Sequence, residues 1–164
     1  MTTQTVSTTQ AADFYRAETY DPQDSIGYLM KRGVVSMVYQ ADKHLEQHEL
    51  TSAQWGPIMH LGKAGKTTVA ELARLMLVDA GAMTRLLDRL EKKGLCKRLR
   101  CSEDRRVVRV ELTPDGHTAL KFVPVVLADV MNAHLQGFSE SEWQVLKGYL
   151  RRILANGEAL RNAA

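Results

Sequence analysis

Ten basic side chains crowd into residues 85–109: Arg85, Arg89, Lys92, Lys93, Lys97, Arg98, Arg100, Arg105, Arg106 and Arg109. Against Asp88, Glu91, Glu103 and Asp104, that stretch carries +6, while the other 139 residues carry −3. The chain's total of +3 hides the division. Guanidinium and ammonium groups gathered on one segment neutralise phosphates and release their counterions. The pattern therefore fits a nucleic-acid-facing segment on a mildly acidic body. A solvated surface fits the same count, since amphipathic helices carry lysine and arginine outside. Charge alone does not choose between the two.

Other chemistry-bearing residues are sparser. His44 and His48 stand four apart, with Glu46 and Glu49 beside them and His60 further on, a set that zinc could use. No matching pair follows, only His117 and the distant His134. Solvated or capping histidines at a helix end are the better reading. Cys96 and Cys101 lie five apart on one strand-like run, facing opposite ways roughly 16 Å apart, so they do not pair. Two cysteines rule out a disulfide framework and favour a reducing compartment. No Gly-x-Ser-x-Gly, Walker-type or paired Cys-x-x-Cys pattern occurs, so nothing in the sequence supports an enzyme or calls for a cofactor. No apolar run approaches the roughly 20 residues of a membrane span, and no signal segment opens the chain. A cytoplasmic protein without membrane contact is expected. Its 164 residues, 45% hydrophobic and 25% charged, suffice for one globular core without disulfides.

The elements that must position the basic segment are announced by caps and periodicity. Residues 2–10 hold eight Thr, Ser or Gln, a polar tail unable to fold alone, followed by Phe14, Tyr15 and Tyr20, suited to packing on a partner surface. Beyond Pro22, the residues Ile26, Leu29, Met30, Met37, Val38, Ala41 and Leu45 recur at helical spacing. Gly27 and Gly33 on that helix allow close approach of another backbone. Thr51-x-x-Gln54, Thr68-x-x-Glu71 and Ser139-x-x-Glu142 read as capping boxes. Asp79 caps a further helix, and Thr113 precedes Pro114 at the favoured first helical position. Gly62 and Gly65 are expected to end the second helix and Gly94 the fourth. Leu95–Cys101 and Val108–Leu112 read as the strands of a hairpin with a basic tip at Ser102–Arg106. Helices over about 115–136 and 140–160 follow, the first bent at Pro124. The order is four helices, a hairpin and two helices.

Within this order, a helix over 68–77 is expected to bury Val69, Leu72, Ala73 and either Leu75 or Met76. A short turn leads to a helix over 79–94 with Met83, Leu86, Leu87 and Leu90 on one face. Ala82, Thr84, Arg85, Asp88 and Arg89 occupy the other. Small residues at its start permit approach to base edges, and arginines reach guanine or phosphate, as a recognition helix requires. Lys92, Lys93, Lys97 and Arg98 would lie along the phosphates and add sequence-independent affinity. Arginine at the hairpin tip suits a narrow minor groove, with Asp104 placed to hold Arg106. A plain turn with solvated charges fits the tip equally. The apolar faces of the first and last helices fit a dimer layer and a closed monomeric bundle alike.

The run Met83-Thr84-Arg85-Leu86-Leu87-Asp88-Arg89-Leu90-Glu91-Lys92-Lys93-Gly94-Leu95 resembles the recognition helix of MarR-family winged-helix transcription regulators. Asp104-x-Arg106, followed by Val110-x-Leu112-Thr113-x-x-Gly116, resembles that family's wing and its exit into the fifth helix. The likeness spans roughly residues 24–160. It implies a mainly α fold with a small β-hairpin wing, in which a winged helix-turn-helix (51–113) joins a helical dimerisation region (24–50 and 114–164) behind a flexible tail (1–23). It further implies a homodimer on a pseudo-palindromic DNA operator, repression by default, and minor-groove contact by Arg106 with Arg105 beside it and Asp104 orienting it.

Regulators of that kind are released by a small aromatic carboxylate or phenol. The resemblance places its pocket at Gly27, Tyr28, Met30, Arg32 and Met37 of the first helix and Trp55, Met59 and His60 of the second. Charge pairing would fix the carboxylate and apolar contact the ring. The same methionines and aromatics at helical spacing also read as core. Thiol sensors of the family carry a reactive cysteine near the start of the first helix, where this chain has none. Two readings stand beside the aromatic-ligand one: a zinc-responsive regulator, and an architectural DNA binder without ligand.

Overall fold

The computed structural model describes residues 12–100 and 108–163. Among these residues, six α-helices and three short strands run in the order α1 (Ile26–Leu45), α2 (Ser52–Ala64), β1 (Thr67–Thr68), α3 (Val69–Leu75), α4 (Ala80–Lys92), β2 (Cys96–Arg100), β3 (Val108–Leu112), α5 (Pro114–His134) and α6 (Glu140–Ala163). The chain divides into two compact units, Met1–Ser36 and Met37–Ala164.

In the first unit, Ser25 opens α1. Its buried hydroxyl accepts from the Tyr28 amide at 3.2 Å and donates to the Pro22 carbonyl at 2.8 Å. Tyr15 Oη accepts from the Ile26 amide at 2.9 Å, and the Tyr15 ring meets Tyr20 edge-on at 5.7 Å. Two of the orphan amides at the helix start are thereby satisfied. Ile26, Leu29, Val34 and Val35 remain exposed.

The second unit holds the core. Leu45, Ile58, Leu61, Leu72, Met83, Leu87, Leu90, Val110 and Val123 are fully buried, so α2, α3, α4, the sheet and α5 share one apolar interior. The expected caps form at α3 and α6. Glu71 accepts from the Thr68 amide at 2.9 Å while Thr68 accepts from the Glu71 amide at 3.2 Å. Ser139 and Glu142 reciprocate in the same way, at 2.8 and 3.3 Å. At α2, Gln54 accepts from the Thr51 amide at 3.1 Å.

The hairpin strands lie in register, with Cys96 opposite Leu112 and Arg98 opposite Val110. Val110 and Leu112 point inward while Arg109 is exposed, as their alternation requires. The third strand was not expected. Thr67 and Thr68 pair with Val110 and Arg109, making β3 the centre of an antiparallel sheet ordered β1-β3-β2. The mainly helical fold with a small β-wing is therefore present, its sheet one strand richer than predicted.

One local expectation changes and one alternative is resolved. Gly62 does not end α2 but lies inside it, facing the Leu120 side chain, and Gly65 at φ +71° terminates the helix. Of the two candidates for the end of α3, Leu75 is exposed, and Met76 covers Gly56 and packs against the core. Beyond Met76 the chain closes α3 with two reverse bonds, Leu77 N–H to the Arg74 carbonyl and Val78 N–H to the Ala73 carbonyl. That closure forces Leu77 to φ +53°, the position where glycine is favoured.

Candidate nucleic-acid interface

Helix α4 carries the site. Asp79 caps it by accepting from the Ala82 amide at 2.8 Å, a bond that holds its carboxyl below the usual range. Met83, Leu86, Leu87 and Leu90 are buried, so the spacing i, i+3, i+4, i+7 pins one face to the core. Ala82 is half-buried on the other side, and Thr84, Arg85, Arg89 and Lys92 are exposed. Arg85 folds along the first turn, its Nη1 only 3.5 Å from where a Cβ on Gly81 would stand. The close passage of Arg85 over Gly81 is a feature that sequence reasoning missed. Thr84 donates its hydroxyl to the Ala80 carbonyl at 2.8 Å. Among the described residues, no carboxylate lies within ion-pair distance of Arg85, Arg89 or Lys92, although the Arg85 charge helps keep Asp79 ionised. These three cations are available on the outward face.

Three other expected phosphate contacts have protein partners. Lys97 bonds Glu111 at 3.0 Å from the neighbouring strand, and Lys66 approaches the same carboxylate at 2.9 Å. Both lysines hold Glu111 below its ordinary range. Lys93 Nζ donates to the Glu49 carbonyl. Arg98 is the most heavily engaged. Its Nη1 lies 2.6 Å from Asp88 and 2.8 Å from Glu91, and its Nη2 donates to the Thr84 carbonyl at 3.0 Å. The reason is geometric: β2 runs back beside α4, and a charge-assisted fork is satisfied there by two acids one turn apart and a carbonyl one turn before them. Asp104, Arg105 and Arg106 lie outside the described residues, as does Cys101.

The exit from the hairpin is tightly built. The Thr113 hydroxyl donates to the Gly94 carbonyl and accepts from the Gly116 amide at 3.1 Å, while the Thr113 amide donates to the Leu95 carbonyl at 3.2 Å. The corner that ends α4 is thus tied to the first turn of α5.

A profile of the MarR family matches residues 50–108, which span α2 to the start of β3. Over 82% of this chain and 99% of theirs, two solved structures are similar. Transcriptional regulator PA3341 is 34% identical with a TM-score of 0.73, and a MarR mutant of E. coli, solved in complex with operator DNA, is 27% identical with a TM-score of 0.76. The chain belongs to the MarR family. It is accordingly a DNA-binding transcription regulator with the winged-helix fold. A further likeness of fold alone, 22% identical with a TM-score of 0.75 over 82% of this chain and 96% of the other, is to BpsR of Bordetella bronchiseptica, whose DNA binding is regulated by 6-hydroxynicotinic acid.

In this MarR-family chain the expected effector residues fall into both units. Gly27, Tyr28, Met30 and Arg32 stand on the first part of α1, where the Arg32 guanidinium lies 6.0 Å from the Tyr28 ring centre. Met37, Trp55, Met59 and His60 belong to the second unit, all half-buried. Trp55 Nε1 is buried with no acceptor among the described residues.

The zinc and thiol readings find other arrangements. His48 stacks on Phe122 with ring centres 3.9 Å apart. No group of three His, Cys, Asp or Glu side chains among the described residues is placed to hold a metal. Burial pushes the Cys96 thiol up to about 11, which keeps it protonated at neutral pH. No described helix is long and apolar enough to cross a membrane.

Proposed function

We propose that this regulator binds a pseudo-palindromic operator as a homodimer, represses by default, and is released by a small aromatic carboxylate or phenol. The observation that carries the DNA half is the outward face of α4, where Arg85, Arg89 and Lys92 stand exposed and unpaired among the described residues. Arg85 at the capped end suits base edges, and Arg89 and Lys92 suit phosphates. Ala82 and Thr84 keep that end slim enough to approach the groove. Arg106, with Asp104 and Arg105, reaches the minor groove in this reading by family likeness.

One such helix reads few base pairs, and two-fold symmetry sets a second about 34 Å along the duplex. Exposed apolar side chains on both terminal helices support the dimer: Leu29, Val34 and Val35 on α1, and Tyr149, Leu154 and Leu160 on α6. The effector half rests on Trp55. A buried indole N–H without an acceptor costs about 1–3 kcal/mol, and a ligand carboxylate or phenolate would supply the missing partner. Met59 and His60 on the same helix offer apolar contact and polar anchoring. The hydroxylated aromatic acid that regulates BpsR is of that class.

Mobility-shift titration with operator and random duplexes, repeated with a panel of aromatic acids and phenols, tests both halves. Operator affinity no better than random would overturn the first half. Operator binding that no member of the panel relieves would overturn the second.

A further inference from the structure

We infer that Arg98 is a positioning residue that locks the wing to the recognition helix, not a phosphate contact. Four bonds converge on it. Its guanidinium reaches Asp88 at 2.6 Å, Glu91 at 2.8 Å and the Thr84 carbonyl at 3.0 Å, and its own amide donates to the other oxygen of Glu91 at 3.0 Å. Glu91 therefore grips strand and side chain together. Thr84, Asp88 and Glu91 recur at i, i+4, i+7, so the three contacts run along one stripe of α4, beside the stripe that bears Arg85, Arg89 and Lys92. Arg98 itself sits on β2 opposite Val110, whose side chain is fully buried in the core. The fork thus ties the azimuth of α4 to the sheet. Rotation of that helix about its axis would carry Arg85 off the base edges and would also have to break several of these bonds. Only 23% of the Arg98 side chain is exposed, and both donors of Nη1 and one of Nη2 already have partners on α4.

This inference rests on α4 being the helix that reads DNA, and the experiment separates the two. Wild type, Arg98→Gln, Asp88→Asn, Glu91→Gln and Arg85→Ala are compared by fluorescence anisotropy on operator and random duplexes across a salt series, well below each variant's melting temperature. Loss of a phosphate contact would lower the slope of log K against log salt by about 0.9 and weaken both duplexes alike. Loss of the lock leaves that slope unchanged and lowers the operator-to-random ratio about tenfold, since a misplaced helix forfeits base contacts.

Asp88→Asn gives the sharpest sign. Removing a negative charge tightens binding to a polyanion if Asp88 acts only through its charge, whereas the lock predicts a weaker operator complex. Asp88 and Glu91 are 47% and 39% exposed, so their amides fold even if Arg98→Gln does not. A reduced slope with an unchanged ratio in Arg98→Gln, or tighter operator binding by Asp88→Asn, would overturn the inference. Unchanged operator preference in Arg85→Ala would instead overturn the reading of α4 itself.

Discussion

Replacing Gly116 with alanine should destabilise the protein by about 2–4 kcal/mol, although alanine is the better helix former. Gly116 is the third residue of α5 and is buried. A Cβ there would stand inside contact distance of the Leu95 carbonyl oxygen, 3.0 Å from its carbon and 3.1 Å from Leu112 Cδ2. The oxygen cannot withdraw freely, because it accepts the Thr113 amide at 3.2 Å. Nor can α5 tilt away without loosening the bond from the Gly116 amide to the Thr113 hydroxyl. Overpacking of this kind costs about 1–3 kcal/mol, the strained hydrogen bond about 1 more and the weakened cap about 1. Alanine's higher helix propensity returns about 1 kcal/mol. For a chain of this size each kcal/mol moves the melting temperature about 2–4 °C, so a fall of about 4–16 °C is expected. Calorimetry at fixed protein concentration reads it, with Gly157→Ala on α6 as comparison. A Cβ at Gly157 meets nothing among the described residues within 4 Å, so that variant should gain about 0.5–1 kcal/mol. A Gly116→Ala melting point equal to or above wild type would refute the close-approach argument.

Leu77→Gly should raise stability by about 0.5–1 kcal/mol, because Leu77 stands at φ +53° with 84% of its surface exposed, so strain is relieved and little packing lost. Urea denaturation checks it, and a lower midpoint would contradict it. Acid should weaken the fold through the caps and the sheet. Backbone and hydroxyl bonds from Thr68 and Thr67 hold Glu71 at about 2, and Asp79, Glu111 and Glu142 also lie below their ordinary values. The unfolded chain then takes up protons near 4.5 while native Glu71 resists down to about 2, so stability is flat above pH 5 and falls between those values. Denaturation curves at pH 7, 4 and 3 should show a shallower fall in Glu71→Gln. Trp55→Phe keeps the ring and deletes the orphan donor, so it should weaken effector response about tenfold at unchanged operator affinity. Unaltered release in the mobility-shift assay would remove Trp55 from the effector site.

What could be read from the sequence was local, and what could not was a matter of partners. The apolar face of α4 was legible because Met83, Leu86, Leu87 and Leu90 repeat within one helix, and the caps of α3, α4 and α5 because each donor and acceptor lie three residues apart. The strand Thr67–Thr68 was not, since two residues have no periodicity and their pairing with β3 spans some forty positions. Leu77 disguised a helix end that normally announces itself with glycine, as Gly94 does at φ +71°. The charges were the subtlest case. Counted along the chain, Asp88 and Glu91 dilute a basic head, yet in space they face Arg98 across 10 and 7 residues of sequence. Lys97 is likewise drawn to Glu111. The acids therefore do not weaken the outward face, because the cations they neutralise are those that brace the helix from the sheet side. Arg85, Arg89 and Lys92 keep their charge on the stripe that faces away, and a count of +6 conceals two populations of arginine and lysine with different work.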